Sequence, residues 1–256
     1  MRLTVLGSAD AFNSAGRGHS CYLLEGPGWG PLAVDFGATA LGALYRLVRD
    51  PSEIVAVALT HLHGDHIGGL PYLYLDGMFN TARAGALRVI GPRGTRARLD
   101  ALYRATYGDV AAARSMPYEL RVDEIEPGGE AVVGGVTVRA FAADHMPPPD
   151  QALCLRITTP EGKTVAFSGD TAFCDGLFAA AAGADLLLAE CSYPKPPCGQ
   201  HCTWVEWVEA LPRIGTRRLV FTHLGQQVRQ FWRELVREAP AGYDLSFADD
   251  GMVLVV

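Results

Sequence analysis

The sequence predicts a mixed α/β protein in which two sheet-and-helix layers pack together. Three observations carry this: short β-branched runs bounded by glycine or proline, longer stretches with helical spacing of apolar residues, and alternation of the two in both halves of the chain. With 49% hydrophobic and 20% charged residues over 256 positions, the chain can bury a sizeable core, and its composition excludes disorder, a collagen-like repeat and a coiled coil. No Ser/Gly linker or low-complexity tract divides it, so residues 1–256 are expected to form one domain.

The opening stretch Met1-Arg2-Leu3-Thr4-Val5-Leu6-Gly7 has too short an apolar run for a signal peptide and predicts a strand at 2–7 that enters a loop. Strands follow at 20–25 and 31–35, then a helix at 39–49. The unbroken run Ile54-Val55-Ala56-Val57-Ala58-Leu59 predicts a buried strand at 54–59. Helices are expected at 66–79 and 93–106, the second starting at Gly94 or Thr95. Further strands are predicted at 118–125, 130–133, 136–143, 152–158 and 163–168. The remainder alternates: helix 174–182, strand 185–190, helix 203–212 opened by Thr203, strand 217–222, helix 226–238 and a last strand at 252–256.

The net charge of −6 argues against nonspecific coating of nucleic acid, whose affinity comes mainly from cationic contacts to phosphate. No segment approaches the length of a membrane span. The six cysteines are scattered through a chain far longer than a disulfide-stapled mini-domain, so reduced thiols and a cytoplasmic location are expected. Cys198 and Cys202 flank Gly199-Gln200-His201, but this spacing matches no closed four-ligand zinc pattern.

The densest chemical signal is Thr60-His61-Leu62-His63-Gly64-Asp65-His66-Ile67-Gly68-Gly69, directly after the strand at 54–59. In an extended chain His61 and His63 point to one side, so both imidazoles can reach one metal ion. Gly64 permits a sharp turn that carries Asp65 and His66 toward a neighbouring position, with Asp65 suited to a helix N-terminus. Surface histidines and a simple helix cap are the competing interpretation. Four metal-competent side chains in six positions after a buried strand are a concentration that core packing does not explain.

This loop resembles the H-x-H-x-D-H signature of the metallo-β-lactamase superfamily. Later elements match in order, each after a strand-like run: His145 in Ala142-Ala143-Asp144-His145, Asp170 in Phe167-Ser168-Gly169-Asp170-Thr171, and His223 in Val220-Phe221-Thr222-His223-Leu224. Taken singly, Asp170 reads equally as a turn cap, His145 as support for the Pro147-Pro148-Pro149 loop, and His223 as a satisfied strand-end histidine. The resemblance implies a four-layer α/β/β/α metallo-β-lactamase sandwich holding two divalent metal ions. His61, His63 and His145 would hold the first ion, Asp65, His66 and His223 the second, and Asp170 would bridge both. Zinc suits such mixed imidazole and carboxylate ligands, with manganese or iron as alternatives. A water between the ions would lose a proton near neutral pH and become the nucleophile.

The segment Leu188-Ala189-Glu190-Cys191-Ser192-Tyr193, followed by His201-Cys202-Thr203, is similar to a motif of the RNase Z-like phosphodiesterase branch. That resemblance places His201 beside the scissile phosphate, stabilising charge or protonating the leaving oxygen, with Glu190 orienting it. By the residues alone, Glu190 reads equally as a strand-end carboxylate and His201 as a residue ahead of the helix at Thr203. Asp65, His201 and Glu190 are thus the candidate catalytic residues. The Leu6-Gly7-Ser8 loop with Arg17, and the turn Ile90-Gly91-Pro92-Arg93-Gly94, extend the resemblance from the first strand to about His223.

One departure matters. Members that process tRNA carry a long arm between the His145-type and Asp170-type motifs, but only 25 positions separate them here. The missing arm and the acidic composition argue against whole tRNA and for a small phosphodiester or nucleotide-type substrate. The rival is a thioester or lactone hydrolase on the same metals; an iron-dependent oxidase or dioxygenase and a non-catalytic binding protein rank below it. Arg17, Arg93 and Arg114 are given no role. The aromatic stretch Leu70–Phe79 reads as core by default, or as a pocket wall or dimer contact. The resemblance also suggests a homodimer.

Overall fold

A computed structural model describes residues 1–47 and 49–256. In chain order the first part comprises β1 (Arg2–Gly7), β2 (Cys21–Gly26), β3 (Trp29–Val34), α1 (Ala40–Arg46), β4 (Ala56–Ala58), α2 (Gly64–Ile67), α3 (Leu70–Phe79), β5 (Leu87–Gly91), α4 (Thr95–Ala112) and β6 (Leu120–Glu124). The rest comprises β7 (Glu130–Val133), β8 (Val136–Ala142), β9 (Leu153–Thr158), β10 (Thr164–Phe167), α5 (Asp175–Ala181), β11 (Leu186–Glu190), α6 (Trp204–Ala210), β12 (Arg218–Thr222), α7 (Gln226–Leu235), β13 (Asp244–Phe247) and β14 (Val253–Val255).

These strands form two seven-stranded mixed sheets, in the orders β14-β1-β2-β3-β4-β5-β6 and β13-β12-β11-β10-β9-β8-β7. In each, antiparallel pairing gives way to parallel pairing: from β3 to β6 in the first sheet and from β10 to β13 in the second. The period-two alternation of the strands sorts their side chains into layers. Leu3, Val5, Leu24, Leu32 and Val34 face Val138, Leu155, Ile157, Leu188 and Val220 across the gap between sheets. Odd-even partners turn outward: Leu23, Ala33 and Val57 pack under α1, α3 and α4, while Leu187, Ala189, Leu219 and Phe221 pack under α5, α6 and α7. The result is the expected four-layer α/β/β/α sandwich.

Two helix starts are fixed by specific residues. Thr203 caps α6 in a reciprocal capping box with Glu206. α4 begins at Thr95 after Gly94 in a left-handed conformation, and the Glu124 carboxylate accepts from the Gly94 and Arg96 amides.

Several boundaries differ from expectation. β5 and β13 fall where no strand is predicted: Leu87-Arg88-Val89-Ile90-Gly91 merges into a glycine–proline turn, and Asp-Leu-Ser-Phe at 244–247 is a short edge strand without a β-branched run. The helix predicted at 66–79 splits at Gly68-Gly69, because Gly69 packs so closely on Gly37 and Phe36 that a Cβ would overlap them. The helix predicted at 93–106 continues to Ala112, past a non-helical Gly108. The helix predicted at 39–49 spans Ala40–Arg46, and position 48 lies outside the described residues.

Between His145 and Asp170 the chain forms only β9 and β10, with no added arm. No helix is long and apolar enough to cross a membrane among the described residues. All six cysteines are unpaired; Cys198 and Cys202 donate to the backbone carbonyls of His201 and Thr171 rather than joining a ligand cluster. Of the aromatic residues of α3, only Tyr74 takes the default course, buried with Leu70 and Leu73 in the outer layer of the first sheet, whereas Tyr72 and Phe79 are exposed.

Candidate metal centre

The candidate residues arrive from four segments that each follow a strand. The loop after β4 extends through His61 and His63, turns at Gly64 and starts α2 with Asp65 in its first turn. His145 follows β8, Asp170 follows β10 and His223 follows β12. His61, His66, His145, Asp170 and His223 are all buried. Tight backbone turns aim them: Gly169, just before Asp170, has φ 57°, and His223 itself has φ 52°. A non-glycine residue in this left-handed region costs about 1–2 kcal/mol, and the surrounding hydrogen bonds hold His223 there. Ser192 Oγ lies 2.9 Å from His223 Nδ1 and 3.3 Å from its carbonyl, and the next amide, of Leu224, donates to Ser8 O at 3.1 Å.

The side chains converge as two adjoining clusters, His61/His63/His145 and Asp65/His66/Asp170/His223, the ligand atoms of each lying within 4.8 Å of one another. In the first, His63 Nδ1 and His145 Nε2 are 3.1 Å apart. In the second, Asp65 Oδ2 is 3.3 Å from both His66 Nε2 and His223 Nε2, while Asp170 places Oδ1 3.3 Å from His66 Nε2 and Oδ2 3.3 Å from His223 Nε2. A tetrahedral ion with ligands at about 2.0–2.1 Å needs an edge of about 3.3 Å between them. Asp170 Oδ2 also lies 3.8 Å from His61 Nε2 and from His145 Nε2, so this carboxylate stands between the clusters.

The donor set fits divalent cations on a further ground. His61 Nε2, His66 Nε2 and Asp170 Oδ1 are buried and have no hydrogen-bond partner in the protein. Buried polar atoms are ordinarily paired, and ion coordination supplies what these three lack. Both His/Asp clusters can therefore hold divalent metal ions.

A second ring of residues fixes the imidazoles, and sequence reading missed most of it. Asp35, in a left-handed turn directly after β3, accepts from His66 Nδ1 at 2.8 Å and from the Thr60 amide and hydroxyl at 2.8 and 2.9 Å. This leaves His66 Nε2 facing the cluster. His145 Nδ1 donates to Gln200 O at 2.9 Å. Glu190, itself buried, accepts the Ser192 hydroxyl at 2.8 Å, and Ser192 in turn meets His223 Nδ1. The other Glu190 oxygen takes His201 Nδ1 and the Thr171 amide, each at 2.9 Å. The available signal for Asp35 was an acid ending the apolar strand at 31–35; Ser192 sat inside the quoted motif without a role.

Electrostatics follow the packing. Burial, with the neighbouring His66 charge, pushes His61 well below the ordinary imidazole range. Burial opposes the charged forms of His66, His223 and His201, but adjacent carboxylates outweigh it in all three. Asp170 and Asp35 lift His66 well above its usual value, Asp170 and Asp65 raise His223 to about 9, and Glu190 raises His201. Asp170 remains ionised despite its burial, because His223 and His66 hold its pKa well below the usual carboxylate range.

The clusters open into a cleft of about 240 Å³, where His63, Asp65, His145, Asp170, His201 and His223 meet Asp10, Phe12, Ser192 and Tyr193. The His201 ring stacks on His223 at 5.6 Å and stands 4.9 Å from His145. All nine candidate residues thus come together, with Glu190 behind His201. Arg17 pairs with Asp249, Arg93 lies near Glu126 and Arg114 sits over Phe79; none lines the cleft.

A family model described as the beta-lactamase superfamily domain matches residues 26–224, which includes every residue of both clusters. The chain belongs to the metallo-β-lactamase superfamily. An uncharacterized protein of Mycobacterium tuberculosis is 33% identical over 95% of this chain and 87% of its own. A ribonuclease Z of Ignicoccus hospitalis is 28% identical over 100% of this chain and 98% of its own. The crystal structure of the metallo-beta-lactamase fold protein YhfI from Bacillus subtilis superposes with a TM-score of 0.80 at 23% identity, covering 99% of each chain, and so shares the fold.

Proposed function

We propose that this metal-dependent hydrolase is a dinuclear phosphodiesterase acting on a small phosphodiester or nucleotide-type substrate. The observation that carries the reading is the Glu190–His201 pair, which sets an imidazole against both clusters at the cleft wall. His61, His63 and His145 would hold one ion and Asp65, His66 and His223 the other, with Asp170 shared; zinc suits this donor set best. When bound, two such ions supply Lewis acidity toward phosphoryl oxygens and a water acidified toward neutral pH.

The chain's own residues do the rest. His201 faces the cleft while Glu190 holds its Nδ1–H, so the imidazolium can stabilise charge on, or give a proton to, the departing oxygen. Asp65 sits at the cleft with its Oδ2 against His66 and His223, where it fixes the second cluster beside the reacting group. A thioester or lactone places less negative charge near His201 and gains less from an imidazolium there. The absent arm and the lack of lysine or arginine lining the cleft, among the described residues, support a small substrate over whole tRNA.

The test is metal content by mass spectrometry beside cleavage of bis(p-nitrophenyl) phosphate, for the wild type, Asp170→Ala and His201→Ala. About two metals per chain, with cleavage abolished by either change and metal retained in His201→Ala, supports the reading. Activity confined to thioesters or lactones transfers it to the rival hydrolase, and a single iron overturns both.

A further inference from the structure

Phe12 is the most exposed aromatic side chain, at 80%, and it stands in the wall of the metal cleft. Single exposed apolar residues are common on protein surfaces, but this one is held in place by its loop. Asp10 accepts from the Phe12 amide at 3.2 Å, the Ser14 amide at 3.1 Å and the Ser14 hydroxyl at 2.8 Å. Asn13 Nδ2 donates to Arg17 O at 2.9 Å, and the Ala15 amide donates to Gln226 Oε1 at 3.0 Å. Asn13 and Ala15 both adopt left-handed backbone, with φ 53° and 57°. A loop fixed by this many polar bonds keeps a phenyl ring in water beside the site.

A second ring reaches the cleft from another segment. Tyr193 is 40% exposed, its centroid is 6.4 Å from that of His201, and its carbonyl accepts from the Trp204 amide at 2.9 Å, anchoring it to the start of α6. Asp10, the cleft's one further acid beyond Asp65 and Asp170, is taken up by the loop, and no lysine or arginine lines the cleft among the described residues. The cleft thus offers aromatic faces and, among the described residues, no lysine or arginine for a second phosphate.

We propose that Phe12 and Tyr193 form a stacking subsite for a nucleobase, making the substrate a nucleoside phosphodiester with one negative charge. The proposal rests on the phosphodiesterase reading above. Stacking of bases on aromatic side chains tolerates different bases, so the subsite sets substrate class rather than base identity. Phe12 and Tyr193 act on specificity and leave the hydrolytic machinery to the metal-cluster residues and His201.

The test compares thymidine 5′-monophosphate with methyl phosphate by calorimetry on the metal-loaded wild type, Phe12→Ala, Tyr193→Ala and Tyr193→Phe. The nucleotide is expected to bind about 10-fold tighter than methyl phosphate to the wild type. That advantage should vanish in Phe12→Ala and Tyr193→Ala and persist in Tyr193→Phe, with methyl phosphate binding alike in all four. Equal wild-type affinities, or a Phe12→Ala loss shared by both ligands, overturns the subsite. Turnover of bis(p-nitrophenyl) phosphate by the same preparations separates the two readings. Cleavage without nucleotide preference removes the subsite alone, whereas Phe12-dependent nucleotide binding without cleavage removes the phosphodiesterase and keeps the subsite. Because Phe12 is exposed, a thermal melt matching the wild type is expected for its variant.

Discussion

Glu190 takes the Nδ1–H of His201 on one carboxylate oxygen at 2.9 Å and the Ser192 hydroxyl on the other at 2.8 Å. One buried acid therefore orients the cleft imidazole and, through Ser192, the ring of His223. A Glu190→Gln variant keeps the shape but loses the charge. It is expected to lower kcat by about 10- to 100-fold, with little change in KM and with metal content kept, because general acid catalysis contributes about 10²–10⁴-fold in full. Stopped assays on bis(p-nitrophenyl) phosphate with parallel metal analysis check this; an unchanged kcat would remove Glu190 from the mechanism.

Asp35 fixes the tautomer of His66 from 31 positions away. Asp35→Asn removes the charge while keeping a residue tolerant of the left-handed backbone found there. Metal affinity should fall by about 10- to 100-fold, the usual cost of losing an outer-ring partner. Competition with a chromophoric chelator measures it, and wild-type affinity would show that the carboxylate charge is not what sets the ring.

Metal loading should release protons. In the metal-free protein His66 and His223 are held protonated at neutral pH, His223 with a pKa of about 9, and both must be neutral to ligate. Filling the second cluster at pH 7 is expected to release roughly two protons per chain, read with an indicator in weak buffer. The same shift has a stability consequence of definite sign. A raised histidine pKa stabilises the metal-free fold fully below the unfolded value of about 6.5, and that contribution is lost as pH rises through about 9. Metal-free protein should thus melt lower at high pH than near pH 6, whereas loaded protein should lack this loss.

Gly37 packs against the metal-loop backbone: a Cβ there would lie 2.2 Å from Asp65 O and 2.4 Å from His19 Cβ. Gly37→Ala must displace the loop that carries Asp65. Destabilisation of about 1–3 kcal/mol is expected from such overpacking, together with weakened metal binding. Denaturant melts and chelator competition test it; a variant with normal stability and affinity would show that the loop yields without loss.

Much of the molecule was legible one segment at a time. The run 54–59 announced its strand, Thr203 announced a helix start, and the order of β-branched and helical stretches pointed to a mixed α/β chain, while the four-layer arrangement came from the family resemblance. What escaped was weak locally. β5 has an arginine inside a five-residue strand, and β13 is an edge strand paired only with β12. Their strand character comes from a neighbour's hydrogen bonds rather than from their own residues.

The site divides in the same way. The sequence by itself brought out the candidate ligands: His61, His63, Asp65 and His66 lie within one six-residue strand-to-helix turn, and the family resemblance picked out His145, Asp170 and His223, each after a strand-like run. Only the tertiary structure decided which groups hold those side chains and what lines the cleft. Asp35 meets His66, Ser192 meets His223, and Phe12 meets the cleft through contacts between segments far apart in the chain. Such contacts depend on how two sheets register and where their loops converge, and local pattern carries no information about that.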